Sequence, residues 1–223
     1  MGSRPTQRGF QFLRVNERES KPAKRGLTEI RGPYYSVIGR RYLEDLFETM
    51  GAYVDSLKFA GGSFTLMPET AVRNIIHLCH QHDVIVSTGG FIERVLVQGD
   101  DAKRQYVAQC KKLGFDIIEI SAGFVSIPTD DWLRLIELVR KSGLKAKPEV
   151  GIQFGAGGAT DEIGMEKLMF EAADPDVFEW YIKNYGADVN LFVDHSQIVQ
   201  LECLRAGIWG TKSLWGRVVT YSE

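Results

Sequence analysis

Four carboxylates, Glu119, Glu149, Glu171 and Asp194, each close a short apolar run. They are the hard oxygen ligands that Mg2+ prefers, one or two of them direct and the others through water. Carboxylates crowded together repel one another, so a metal or the cations Arg31 and Lys58 must offset them; the competing explanation is an internal salt-bridge network. Lys58 leads into Ala60, Gly61, Gly62 and Ser63, where glycines let backbone N–H groups approach an anion, and Gly89-Gly90 repeats the pattern. Ordinary tight turns would need the same residues. His195 follows Asp194 and has the side chain suited to proton transfer near neutral pH, or else it packs under the next helix. The catalytic candidates are therefore Lys58, Arg31 and His195, the first two read here as counterions to the carboxylates and the third as a proton carrier. Gly61, Gly62, Ser63, Gly89, Gly90 and Ser121 would hold a small anionic phosphorylated substrate, and Mg2+ would sit on Glu119, Glu149, Glu171 and Asp194. His77, His80 and His82 look like a metal cluster but fall at a helix end and its following turn, on the opposite rim, and read as surface residues.

Positioning these residues requires strands that all deliver their polar ends to one side. Short β-branched runs predict strands over Gly26–Arg31, Tyr53–Phe59, Val84–Thr88, Phe115–Ser121, Lys145–Val150, Lys167–Ala172 and Val189–Asp194. Helical spacing predicts helices over Arg40–Met50, Pro68–Gln81, Asp101–Leu113, Thr129–Lys141, Pro175–Tyr185 and Gln197–Arg205. Pro68 and Pro175 suit first turns, while Gly51, Gly114, Gly143 and Gly186 suit left-handed helix ends. Strand and helix in alternation make an α/β chain with a parallel sheet, and the fold expected is a TIM-type (β/α) barrel. Its active side is the carboxyl end of the strands. There the runs close in Glu29 and Arg31, Lys58, Ser87 and Thr88, Glu119 and Ser121, Lys147 and Glu149, Glu171, and Asp194 and His195. The rhythm breaks at Gln153–Gly164, which is rich in glycine and too short for a helical crossover. Either the barrel is shortened by about one β/α unit after Thr160, or a stretch is absent from the sequence.

Charge and cysteine content narrow the setting. Across 223 residues, 27 basic side chains face 29 acidic ones, so no global field would gather nucleic acid or an anionic membrane, and any anion must be held locally. Three widely spaced cysteines, Cys79, Cys110 and Cys203, form no CxxC pair and suit a reducing cytoplasmic location. No run approaches a membrane span. Residues 1–24 are basic and poor in aliphatic side chains and read as a flexible arm; residues 25–223 form one domain. An open seam in the barrel would give the chain reason to form a homo-oligomer.

The strand ends also carry a resemblance. Tyr53–Ser63 (YVDSLKFAGGS), Leu113–Ser121 (LGFDIIEIS), Pro148–Gly151 (PEVG), Val189–Leu191 and Leu201–Arg205 resemble the phosphosulfolactate synthase family in the same order over about Gly26 to Gly210. Thr28–Ser36 (TEIRGPYYS) and Val193–Ile198 (VDHSQI) look closest to its eukaryotic branch, which includes heat-stress-associated proteins of plants. The resemblance implies a barrel that uses Mg2+ to join sulfite to phosphoenolpyruvate, with Lys58, Glu119 and Glu149 at matching positions. That reaction needs anion sites, a cation to stabilise the aci-carboxylate and an acid to protonate the neighbouring carbon, a role that suits Lys58. The departures are Arg31-Gly32 where the synthases carry Asp-Lys-Gly, Ile152 and Gln153 where they carry paired lysines, and Ala122-Gly123 where they carry Asp-Gly. Lost lysines favour the alternative, a barrel without catalysis that acts as a heat-stress-associated binding protein.

Overall fold

The computed structural model describes residues 9–149 and 164–208. Its elements run β1 (Thr28–Arg31), α1 (Arg40–Met50), β2 (Ser56–Lys58), α2 (Glu69–Gln81), β3 (Ile85–Ser87), α3 (Ile92–Leu96), α4 (Asp100–Leu113) and β4 (Ile117–Ser121). Then come α5 (Thr129–Lys141), β5 (Lys145–Glu149), β6 (Phe170–Glu171), α6 (Pro175–Tyr185), β7 (Leu191–Asp194) and α7 (Ile198–Arg205). The six helices predicted from spacing lie within one residue of those observed. The strands are shorter than predicted because flanking apolar residues such as Val54, Val84, Phe115 and Val189 are buried without joining a strand. Helix α3 was not expected, since five residues are too few to display a helical period. Gly114, Gly143 and Gly186 take positive φ after their helices, whereas Gly51 opens a 3-10 turn instead. Of the expected loop at 153–164, residues 153–163 lie outside the described residues; Gly164 precedes the 3-10 turn Met165–Lys167.

The chain divides into two compact units. In the unit made of Arg31–Asp45 and Ser56–Ala156, strands β2, β3, β4 and β5 lie side by side in chain order, each pair parallel. Parallel neighbours taken in chain order, each reached through a helix, are the βα units of a TIM-type α/β fold. One strand face carries Leu57, Val86, Ile118 and Ile120, all shut off from solvent, against α2, α4 and α5, which bury Val72, Ile76, Val107 and Val139. Phe59, Phe64, Phe91 and Phe115 interlock with centroids 5.2–6.1 Å apart, mostly edge to face, the favoured arrangement for ring quadrupoles. Burial holds the Cys110 thiol up at about 12, so it is inert at neutral pH.

The second unit comprises Met1–Ile30, Leu46–Asp55 and Gly157–Glu223, with strands in the order β1, β7, β6. Its core gathers Phe178 and Ile182 of α6, Leu191 and Val193 of β7, and Leu201 and Leu204 of α7. Asp174 caps α6 by accepting from Val177 N at 3.0 Å, with Pro175 at the first helical position, as predicted. The arm expected to be flexible is anchored before it ends. Asn16 donates to the Arg205 carbonyl at 3.0 Å, and Arg18 reaches Glu202 at 2.6 Å and Asp55 at 3.4 Å. Among the described residues no helix is long and apolar enough to cross a membrane.

Candidate active site

Side chains alternate faces along a strand, so the ladder register decides which polar groups meet. Lys58 pairs with Ser87, Glu119 with Lys147, and Ser121 with Glu149. These groups therefore share the face opposite Leu57, Ile118 and Ile120. Lys58 Nζ lies 2.8 Å from Glu119 Oε2, and Lys147 Nζ lies 3.4 Å from the same oxygen. The Lys58 and Glu119 side chains are 11% and 2% exposed, so each charge is compensated mainly by the other rather than by water. Two ammonium groups thus converge on one buried carboxylate, Lys58 from the end of β2 and Lys147 from the middle of β5, on the face that also carries Ser121 and Glu149.

Glycines bring backbone close to this cluster. A Cβ on Gly89, which takes φ +61, would stand 2.6 Å from the Phe59 carbonyl and 3.5 Å from Lys58 Cγ. On Gly90 it would meet Ser121 Oγ at 3.1 Å and Glu149 Oε2 at 3.4 Å, so Gly90, Ser121 and Glu149 frame one small space. At Gly61 and Gly62 the room that their missing side chains leave is taken by the rings of Tyr34 and Phe91. Ser63 Oγ is buried and finds no hydrogen-bond partner among the described residues. Arg31, buried at the end of β1, lays its guanidinium 4.8 Å from the Tyr35 ring centre.

The remaining expected site residues belong to the second unit. Glu171 ends β6 in an exposed position. Asp194 accepts from Ser196 N at 3.1 Å and Ser196 Oγ at 2.6 Å, the bonds of a residue capping the turn that follows it. His195 is buried, its Nε2 3.8 Å from Asp194 Oδ1. Among the described residues no three histidine, cysteine or carboxylate side chains form a group able to hold a metal ion. His80 instead bonds Asp116 at 2.8 Å, and His77 is exposed, in keeping with a surface role for that cluster.

Two residues were not singled out from sequence. Lys147 was visible only as one of several polar strand ends, and its value comes from standing in register with Glu119. Glu93, on the unexpected α3, is buried and accepts from the Ser121 hydroxyl and from the backbone N–H groups of Gly123, Phe124 and Val125. Nothing in local periodicity marks it.

The (2R)-phospho-3-sulfolactate synthase (ComA) family matches residues 16–162 and 157–211. The chain belongs to the phosphosulfolactate synthase family. Within reach of that family, the protein HEAT-STRESS-ASSOCIATED 32 of Arabidopsis thaliana is 36% identical, covering 87% of this chain and 90% of its own. A phosphosulfolactate synthase of Methanothermobacter thermautotrophicus is 25% identical over 90% of this chain and 96% of its own. Among solved structures, D-psicose 3-epimerase with D-tagatose from Clostridium cellulolyticum H10 is similar at a TM-score of 0.43 and 13% identity, over 86% and 94% of the two chains. The phosphosulfolactate synthase match spans Lys58, Gly90, Glu119, Lys147 and Glu149 alike.

Proposed function

We propose that the cluster of Lys58, Glu119, Lys147 and Glu149 binds a small phosphorylated carboxylate and adds sulfite, or a related nucleophile, to its double bond, as a phosphosulfolactate synthase-like lyase. The observation that carries this reading is the buried Lys58–Glu119 pair with Lys147 at 3.4 Å from the same oxygen, because it gathers in one place an ammonium group able to protonate carbon, a second ammonium group to face an anion and a carboxylate to face a cation. In the reaction, the sulfur lone pair forms a bond to the methylene carbon, and the double-bond electrons move toward the carboxylate. Lys58 Nζ then gives a proton to the neighbouring carbon, and the phosphate stays in place. Arg31 has a fixed guanidinium that holds an anion at two points but does not give up its proton, so it orients substrate and leaves acid chemistry to Lys58.

Mg2+ is usually held by one or two carboxylates and completed by water and substrate oxygens, and Glu119 and Glu149, on one face of adjoining strands, supply that number. When bound, the cation would stabilise the charge that develops on the substrate carboxylate. Glu171, Asp194 and His195 enter this reading only as outer contributors, since the first is exposed and the second is engaged as a cap. A barrel shortened by about one β/α unit after Thr160 remains part of this reading, on the glycine-rich interval Gln153–Gly164 that is too short for a helical crossover. Free cysteines suit a cytoplasmic setting, and an unclosed strand edge would be covered by a second copy.

A second reading, a heat-stress-associated barrel without turnover, is favoured by the 36% identity to the plant protein against 25% to the synthase. Turnover separates the two. With Mg2+, phosphoenolpyruvate and sulfite, the protein should form phosphosulfolactate; Lys58→Met should abolish this, and Arg31→Met should mainly raise KM. Ligands should also raise the melting temperature, since saturation at 100 times Kd adds about 2.7 kcal/mol to stability. No product, together with no melting shift from any of the three, decides for the second reading.

A further inference from the structure

The carboxylate of Glu93, beside the candidate site, accepts four hydrogen bonds. Its Oε1 accepts from the Ser121 hydroxyl and from Gly123 N at 3.1 Å, and its Oε2 accepts from Phe124 N at 2.6 Å and Val125 N at 3.0 Å. Three successive backbone N–H groups turned toward one point form a nest for an anion, and here an internal carboxylate fills it. The residues so held are those that leave β4 directly after Glu119 and Ser121. Phe124 itself is 97% exposed, so no packing of its ring fixes this loop.

The Ser121 hydroxyl has a single proton. Once that proton is given to a carboxylate, which can only accept, the oxygen offers nothing but lone pairs to any other neighbour. That oxygen adjoins the space beside Gly90, with Glu149 Oε2 on the same side. Resting on the function proposed above, we infer that Glu93 is a positioning residue with two effects. It pins the loop of residues 122–125, and it makes Ser121 an acceptor toward the site, suited to a water on a hydrated divalent cation and unsuited to a phosphate oxygen.

The test uses the full-length protein and Glu93→Ala, Glu93→Gln and Ser121→Ala. In the ligand-free state, amide hydrogen exchange at Gly123, Phe124 and Val125 should rise at least tenfold in Glu93→Ala while that of Leu57, Val86 and Ile118 is unchanged. A glutamine can still accept from Phe124 and Val125 and donate to Ser121, but its NH2 then faces the Gly123 N–H, so in Glu93→Gln the rise should be confined to Gly123. That variant keeps the proposal testable should the alanine fail to fold. Unchanged exchange in both overturns the pinning. For the acceptor role, titration with MgCl2 alone should weaken at least threefold in Ser121→Ala, whereas titration with inorganic phosphate should not change; the reverse pattern overturns it. A wild-type protein that takes up neither probe removes the function proposed above and the acceptor role together, while the exchange data still decide the pinning.

Discussion

Each unit buries a cluster of charges, and the two clusters are built differently. In the second unit, Arg205 is 1% exposed and donates to the Gly26 carbonyl, to Thr28 Oγ1 at 3.0 Å and to the Val189 carbonyl at 2.8 Å, with Glu202 at 3.5 Å. Arg18 adds bonds to the Gly26 and Tyr53 carbonyls and to Glu202, and Asp55 accepts from Thr28 N at 2.8 Å. The partners are largely main-chain carbonyls from segments far apart in sequence, so the cluster ties backbone to backbone. Burial lowers the Arg205 guanidinium to about 10, yet it stays charged at neutral pH. The cluster at Lys58, Glu119 and Lys147 joins side chains on one face of neighbouring strands, next to glycines and exposed loops. A ligand could replace one of those partners without unfolding any backbone. Burial of charge alone thus does not mark a site; the kind of partner does.

The comparison is tested most severely at Arg205. Arg205→Met should take a buried donor from the Gly26 and Val189 carbonyls and from Thr28 Oγ1 at once, with Arg18 still on Glu202 and Gly26, and breaking a buried cluster from one side costs about 3–5 kcal/mol. Urea unfolding would read this as a large fall in midpoint with little change in slope. Lys58→Met should cost less, about 1–3 kcal/mol, because Lys147 remains 3.4 Å from the same Glu119 oxygen. A Lys58 variant as unstable as the Arg205 variant would erase the distinction between a structural cluster and an exchangeable one.

These two clusters were not equally legible in the sequence. Lys58, Glu119 and Glu149 close apolar runs, so strand alternation alone put them on one face, and the register bears out their shared side. Arg205 and Glu202 lie within a helix whose pattern says only which face is apolar, and Arg18 lies in a stretch whose composition looks like a solvated arm. Their meeting depends on three distant segments packing together, which no local pattern records. Gly61 and Gly62 show a further limit. A glycine pair is equally the mark of an anion cradle and of a backbone grazed by rings, and no local pattern announces that the rings of Tyr34 and Phe91 lie against these two.

The smallest expected effect concerns acid, and it should differ in sign between a buried carboxyl, Glu93, and a partly buried one, Asp55. Burial acts to raise Glu93, but the Ser121 hydroxyl and the N–H groups of Phe124, Gly123 and Val125 outweigh it and hold the group below its ordinary 4.5. A carboxyl lowered in the folded state stabilises the fold above its ordinary pKa, and that stabilisation is lost as the pH falls through the folded value. Asp55 goes the other way. Burial pushes it above its ordinary 3.8 despite the Thr28 N–H and Arg18, so its contribution favours the fold at low pH and is lost as the pH rises through the raised value. Urea midpoints measured from neutral pH down to about 3, below the ordinary carboxyl values, should show this as two opposite trends. The advantage of wild type over Glu93→Gln should shrink on acidification, whereas its standing against Asp55→Asn should improve. Parallel trends for the two variants would mean that the nest at Glu93 is not strong enough to overcome its burial, and the contrast between a carboxylate held by N–H donors and one held under desolvation would fail.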